Sequence, residues 1–255
     1  MEPKGVAFDL DGTLTPAKSQ MDASMVSVFA NLVKQLPVAI TSGASLAQIK
    51  WQVLDLLPAG HLNNIYVFPT GGAAMFVYDG SVWTPIYQHE MSEASANHIT
   101  KIIEECANTS GLCEDAQVWG PRVEWRGSQV TFSGLGQKAP YDAKIVWDKD
   151  KQKRLKLRDM MMPRLPDYDV VLGGTTSIDI IPKGINKAYA MEKFAEHIGV
   201  NIEDILYVGD DLNEGGNDHI VMSDTEAVTH LVTSPADTQR LISNLMKKGH
   251  YEKPS

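Results

Sequence analysis

The chain opens and closes with short apolar runs separated by stretches of helical spacing. Residues 5–8 form an uninterrupted apolar run of the kind buried inside a parallel sheet. Met25, Val28, Phe29, Leu32, Val33 and Leu36 then recur at helical spacing, and Pro37 closes that helix. Residues 38–40 predict a second strand. Ser45 is placed to cap a helix whose apolar stripe is Leu46, Ile49, Val53 and Leu57. Strand, helix, strand, helix implies parallel pairing with right-handed crossovers. Residues 65–68 read as the next strand, and Asp79-Gly80 marks a hairpin turn between 75–78 and 82–87.

The rhythm changes in the middle. A helix carrying Ile99, Ile102, Ile103 and Cys106 ends near Gly111, and short strands follow at 122–125 and 129–132 around a turn at 126–128. A charge-dense helix is expected over 148–159 with a solvated face, then strands at 169–172 and 177–181. This pattern predicts a small α+β insert on an antiparallel sheet. The opening rhythm then returns: a helix over 187–198 closed by Gly199, a buried strand at 205–208, and a short strand at 227–232. A last helix starts at Ser234-Pro235 with a capping box. The reading is an α/β fold, a Rossmann-like core with a parallel sheet (residues 1–85 and 183–255) split by an α+β cap domain (86–182).

Charge narrows the partners. Lys and Arg total 23 against 32 Asp and Glu, a formal charge of -9. Such a field repels phosphate backbones and anionic headgroups, so neither nucleic acid nor membrane is expected as a partner. Two cysteines, Cys106 and Cys113, are too few for a disulfide scaffold or a four-cysteine zinc site. No apolar segment has signal-peptide or membrane-span character, so a cytoplasmic protein is expected.

Two acidic clusters carry the chemistry. Asp9-Leu10-Asp11-Gly12-Thr13 sits where the first strand ends, the edge of an open α/β sheet where ligands bind. Carboxylates at i and i+2, before a glycine that lets the chain turn, can divide nucleophilic attack from proton transfer. Asp210 and Asp211, with Glu214, Asn217 and Asp218, follow a second buried strand. Like charges about 4 Å apart repel by about 4 kcal/mol at an effective dielectric near 20. A hard divalent cation removes that conflict, and oxygen donors with room for water and phosphate suit Mg²⁺. Ser42 and the following amide of Gly43 end the second strand and can donate to a phosphate. Lys187 opens the helix after the insert and can neutralise a transferred group. His219, beside Asp218, is read as a helix-start residue and not a catalyst.

Asp9–Thr13, Ser42, Lys187 and 210–218, in this order, resemble the four motifs of the haloacid dehalogenase superfamily, and the insert resembles its larger α/β cap, type IIB. The string at 9–17, Gly173-Gly174 followed by 177–184, Gly209-Asp210 with 215–218, and 233–238 resemble the eukaryotic-type phosphomannomutase family across nearly the whole chain. The resemblance implies that Asp9 is the nucleophile and forms an aspartyl phosphate, and that Asp11 is the proton donor and acceptor. It implies a Mg²⁺ held by Asp9, the backbone carbonyl of Asp11 and Asp210, with Asn217 and Asp218 shaping the shell. Ser42 and Lys187 would bind the phosphoryl oxygens, Ser177 and Asp179 the sugar, and the cap would mediate a homodimer.

The chain also departs from that family. Mutases grip the distal phosphate with arginines, and here Lys18, Gln137 and Trp119 stand at those places. Arg122, Arg126 or Lys138 could substitute. The leading expectation is therefore a Mg²⁺-dependent phosphatase of a small phosphorylated metabolite such as a sugar phosphate. Phosphomannomutase or phosphoglucomutase activity is the alternative, and a non-catalytic sugar-phosphate-binding protein the third. Hinges are expected near 87–90 and 182–184, letting the cap close as a lid.

Overall fold

The computed structural model describes residues 2–112, 117–248 and 250–251. Cys113 lies outside them, whereas Cys106 is a buried free thiol. In chain order the elements are β1 (Gly5–Asp9), α1 (Ala23–Val33), β2 (Val38–Thr41), α2 (Leu46–Gln52), β3 (Ile65–Phe68), β4 (Ala74–Tyr78), β5 (Trp83–Gln88) and α3 (Glu93–Ser110). Then come β6 (Val123–Trp125), β7 (Val130–Ser133), α4 (Tyr141–Trp147), α5 (Gln152–Met161), β8 (Tyr168–Gly173), β9 (Ser177–Pro182) and α6 (Lys187–Ile198). The chain closes with β10 (Ile205–Gly209), α7 (His219–Asp224), β11 (Val228–Leu231) and α8 (Pro235–Lys248).

The chain forms two compact units, one running to Gln88 and resuming at Asn186, the other spanning His89–Ile185. The division falls slightly later at both ends than 86 and 182, because β5 continues to Gln88 in the first unit's sheet.

In the first unit the strand order is β11-β10-β1-β2-β3-β4-β5. The pairs from β11 to β3 are parallel, and the β4–β5 hairpin adds two antiparallel strands at one edge. Alternation along β1 decides what faces what. Val6 and Phe8 pack with Met25, Phe29 and Leu32 of α1 and Ile242 and Leu245 of α8. Ala7 faces the other side with Met191 and Phe194 of α6, Tyr207 and Val221. Asp9 follows Ala7 by two residues and so projects toward the α6 side of the sheet. Asn186 Oδ1 accepts from the amides of Ala188 and Tyr189, which fixes the first turn of α6 and with it Lys187.

The stripe expected to run unbroken to Leu57 breaks at Val53, where the backbone leaves the helix, and Leu54–Leu56 form a single 3₁₀ turn. Pro58 then ends that turn, since it pushes Leu57 into extended backbone (φ -94°, ψ 146°).

The second unit is a four-stranded antiparallel sheet, β6-β7-β9-β8. Val130, Phe132, Ile178 and Ile180 pack on Ile99, Ile102 and Ile103 of α3 and on Leu157 and Met161 of α5. The opposite face carries buried Gln129, Thr131, Ser133 and Asp179. The charge run at 148–159 is not solvated throughout. Arg154 is 2 % exposed; its Nε meets Asp148 Oδ2 at 2.8 Å and its Nη1 donates to the carbonyls of Gly173 and Gly174. A helix expected to present its charges to water thus uses one of them to staple the β8–β9 turn. α4 was not foreseen, because Ile145 and Val146 are exposed and leave no continuous apolar stripe.

Candidate active site

The apolar β1 run ends on Asp9, whose side chain is almost wholly buried. Parallel pairing sets Asp9 beside Thr41 of β2 and Phe8 beside Val208 of β10, so the acidic segment after β10 and Ser42 after β2 emerge at the same sheet edge. Lys187 Nζ lies 2.6 Å from Asp9 Oδ1 and 2.6 Å from Asp218 Oδ1. The Tyr207 hydroxyl also donates to Asp218 Oδ1, and the Asp211 amide donates to Asp218 Oδ2 at 3.1 Å. Asp218 is thus held on both oxygens. Gly12 (φ +94°) lies against the Asp210 carboxylate, where any β-carbon would collide with it.

Burial raises the Asp9 carboxyl well above the usual carboxylate range, and the charges of Asp218 and Asp210 add to this against the opposing Lys187. Burial and the Asp218 charge push Asp210 up to about 6. Burial alone would lower Lys187, but the carboxylates of Asp218 and Asp9 outweigh it, so its ammonium is retained. Burial also raises the Tyr207 phenol, which therefore stays a donor.

One lysine faces three carboxylates, and oxygens of Asp9, Asp210 and Asp218 lie within 4.8 Å of one another. Asn217 Oδ1 is buried beside them without a hydrogen-bond partner among the described residues. Excess negative charge and an orphaned carbonyl oxygen fit a hard divalent cation. Asp218 belongs to this cluster, yet its oxygens already serve Lys187, Tyr207 and the Asp211 amide, which suits it to shaping the site from behind.

Asp11 is held by its surroundings. Its Oδ1 accepts from the Lys18 amide at 2.8 Å and from Gln52 Nε2 at 2.9 Å. Lys18, expected as a substrate contact, contributes its backbone here and carries a positive φ of 53° to do so. Ser42 is buried, and its Oγ accepts from the Ala44 amide at 3.1 Å, which leaves its own hydrogen for a ligand. Gly43 follows it directly. His219 opens α7, and its ring meets the Leu212 carbonyl at 3.1 Å.

The remaining candidates belong to the second unit. Thr131 lies opposite Asp179 in the β7–β9 register, and Thr131 Oγ1 donates to Asp179 Oδ1 at 2.7 Å, with Gln129 Nε2 at 3.3 Å from the same oxygen. Ser177 shares that face two residues before Asp179. Arg126 meets Glu124 at 2.7 Å and Gln137 Oε1 at 3.3 Å, whereas Arg122 donates from Nε to the Gly134 carbonyl at 3.0 Å.

Gln52 and Tyr207 escaped the sequence reading. Gln52 occupies a polar position of an amphipathic helix, where glutamine is unremarkable; Tyr207 sits in an apolar strand run. Only the register that sets Tyr207 beside Ala7 turns it toward Asp218.

A family model described as eukaryotic phosphomannomutase matches residues 25–248. A probable phosphomannomutase of Caenorhabditis elegans is 24% identical over 252 residues, covering 95% of each chain. Among solved structures, an N-terminally truncated IMP-nucleotidase of Plasmodium falciparum superposes with a TM-score of 0.71 at 17% identity, covering 96% of this chain and 70% of that one. A haloacid dehalogenase-like hydrolase of Bacteroides thetaiotaomicron gives 0.61 at 17% identity, covering 95% and 99%. The structural likenesses establish the α/β fold. With its match extending over most of the length, from α1 to the last helix, this chain belongs to the eukaryotic phosphomannomutase family.

Proposed function

We propose that the protein is a Mg²⁺-dependent phosphotransferase of sugar phosphates that works through an aspartyl phosphate on Asp9 and delivers the phosphoryl group to water. Asp9 Oδ attacks phosphorus while Asp11 protonates the leaving sugar oxygen. Asp11 then takes a proton from the attacking water as the bond from phosphorus to Asp9 breaks. Lys187, the Ser42 hydroxyl and the Gly43 amide bind the phosphoryl oxygens. Asp9, the Asp11 carbonyl and Asp210 would hold the metal, with Asn217 and Asp218 behind them. When bound, the cation offsets carboxylate charge and draws electron density from the phosphoryl group. On the cap sheet, Ser177 and Asp179 offer a hydroxyl and a carboxylate suited to sugar hydroxyls.

The observation that favours water as acceptor is the pairing of Arg126 with Glu124 at 2.7 Å, beside a glutamine at 137. A mutase must retain a bisphosphate between half-reactions, and an arginine whose charge is met by a carboxylate grips a second phosphate less well. Mutase activity is the second reading, favoured by the family match itself. A panel of hexose monophosphates with Mg²⁺, with and without a catalytic hexose bisphosphate, decides between them when phosphate and isomer are scored together. Phosphate release should exceed isomer formation. Isomerisation outrunning hydrolysis would reverse the choice, and turnover retained by Asp9→Asn would remove both readings.

A further inference from the structure

Gln52 has no role in the chemistry described so far, yet it is fully buried at the C-terminal end of α2 with its amide at the catalytic loop. Its Nε2 lies 2.9 Å from Asp11 Oδ1, 3.0 Å from Thr15 Oγ1 and 3.0 Å from the Ser19 carbonyl. A carboxylate and a carbonyl only accept, so the amide nitrogen must face them. Gln48 Nε2, one helical turn earlier, donates to Gln52 Oε1 at 2.8 Å and fixes the same orientation from the other side. The Gln52 carbonyl accepts from the Met21 amide at 2.9 Å, which ties the end of the loop to the same residue.

Resting on the reading of Asp11 as proton donor and acceptor, we propose that Gln52 is a positioning residue that commits Asp11 Oδ1 to hydrogen bonds and leaves Oδ2 as the oxygen that carries the moving proton. Oδ1 receives the Gln52 amide and the Lys18 amide, two donors that suit a carbonyl-type oxygen and exclude a third hydrogen there. The proton of the acid form therefore resides on Oδ2. In the first half-reaction the Asp9–phosphorus bond forms, the ester bond breaks, and the Oδ2 proton passes to the leaving oxygen. In the second, water attacks phosphorus and returns a proton to Oδ2 as Asp9 is released. Without Gln52, the Lys18 amide is the one donor left of this pair on Oδ1, and Asp11 is held less firmly to the rotamer that presents Oδ2.

Leaving-group dependence tests this, because a general acid matters most when the leaving oxygen is a poor one. The assay compares kcat/KM for a hexose monophosphate with that for p-nitrophenyl phosphate, in wild type and in Gln52→Met and Gln52→Glu. Asp11→Asn serves as the reference. Both Gln52 variants should lose about 10- to 100-fold on the sugar phosphate, and the ratio of the two kcat/KM values should fall by at least about tenfold in the direction set by Asp11→Asn. Equal losses on both esters, or none on either, while Asp11→Asn keeps its leaving-group preference, would overturn the role of Gln52. An Asp11→Asn variant without that preference would instead overturn the assignment of Asp11, and the proposal with it. Gln52→Glu keeps the side-chain volume and puts an ionisable group in place of the neutral amide donor, so it is read beside Gln52→Met, whose fold is checked by circular dichroism.

Discussion

Replacing Lys187 by methionine should expose how much of the site is electrostatic compromise. Lys187 Nζ bridges two almost fully buried carboxylates, 2.6 Å from each. Removing one partner of a buried ion pair costs about 3–5 kcal/mol because the other charge is left uncompensated. With two carboxylates relying on one ammonium, a value near the top of that range, about 5 kcal/mol, is expected for the metal-free protein at pH 8. At about 2–4 °C per kcal/mol for a chain of this size, the midpoint of thermal unfolding should fall by about 10–20 °C. The pH dependence has a definite sign. Lys187 has a folded pKa above its unfolded value, so its stabilisation is fully present at neutral pH and is lost only at strongly alkaline pH. In the variant, the raised carboxyl of Asp9 loses the cationic counterweight that Lys187 supplies, so the folded state binds protons more tightly than the unfolded one. Stability must then fall as pH rises from 5 to 8. Circular dichroism melts of wild type and variant in chelator, at intervals across that range, measure both quantities. A loss under about 1 kcal/mol, or one independent of pH, would show that Lys187 does not balance these carboxylates.

Three further outcomes follow from the same geometry. Gly12→Ala places a β-carbon against the Asp210 carboxylate at a φ of +94°; a Mg²⁺ titration should show binding weakened at least about tenfold, with about 1–3 kcal/mol lost in denaturant unfolding. Unchanged binding would mean that Asp210 does not need its present position. Because burial raises both Asp210, to about 6, and Asp9 in the metal-free site, Mg²⁺ affinity by calorimetry should fall steadily as pH drops from 8 to 5, by at least about tenfold per unit below 6; a flat profile from pH 5 to 8 would contradict the cluster as the ligand set. Arg154→Met strands Asp148 and two carbonyls in the second unit, so hydrogen exchange should show amides of α5 and β8 opening with about 3–5 kcal/mol less protection. Protection retained there would assign the arginine no structural weight.

Much of the site was legible because it is written in local order. An apolar run that stops at Asp9, a second that stops before Asp210, and a helix opening at Lys187 are each visible within a few residues, and parallel pairing brings their ends together. What escaped reading depends on partners far along the chain. Gln52 meets Asp11 across 41 positions, and nothing in the α2 stripe separates it from a solvated glutamine. Arg154 looks like its charged neighbours until the β8–β9 turn supplies two carbonyls. Arg126 is a candidate to replace the missing arginines by charge alone, but its pairing with Glu124, two residues earlier in the chain, is a matter of side-chain direction and not of spacing. Lys18 invites a reading by its charge, while the contact to Asp11 comes from its amide.

The most direct test of the account is to look for the phosphoryl group on the protein itself. Wild type mixed with a hexose monophosphate and Mg²⁺, quenched in acid within milliseconds and digested, should yield the peptide containing Asp9 carrying one phosphoryl group, removable by hydroxylamine, and Asp9→Asn should yield none. Turnover with no such adduct at any quench time, or an adduct that persists in Asp9→Asn, would contradict it.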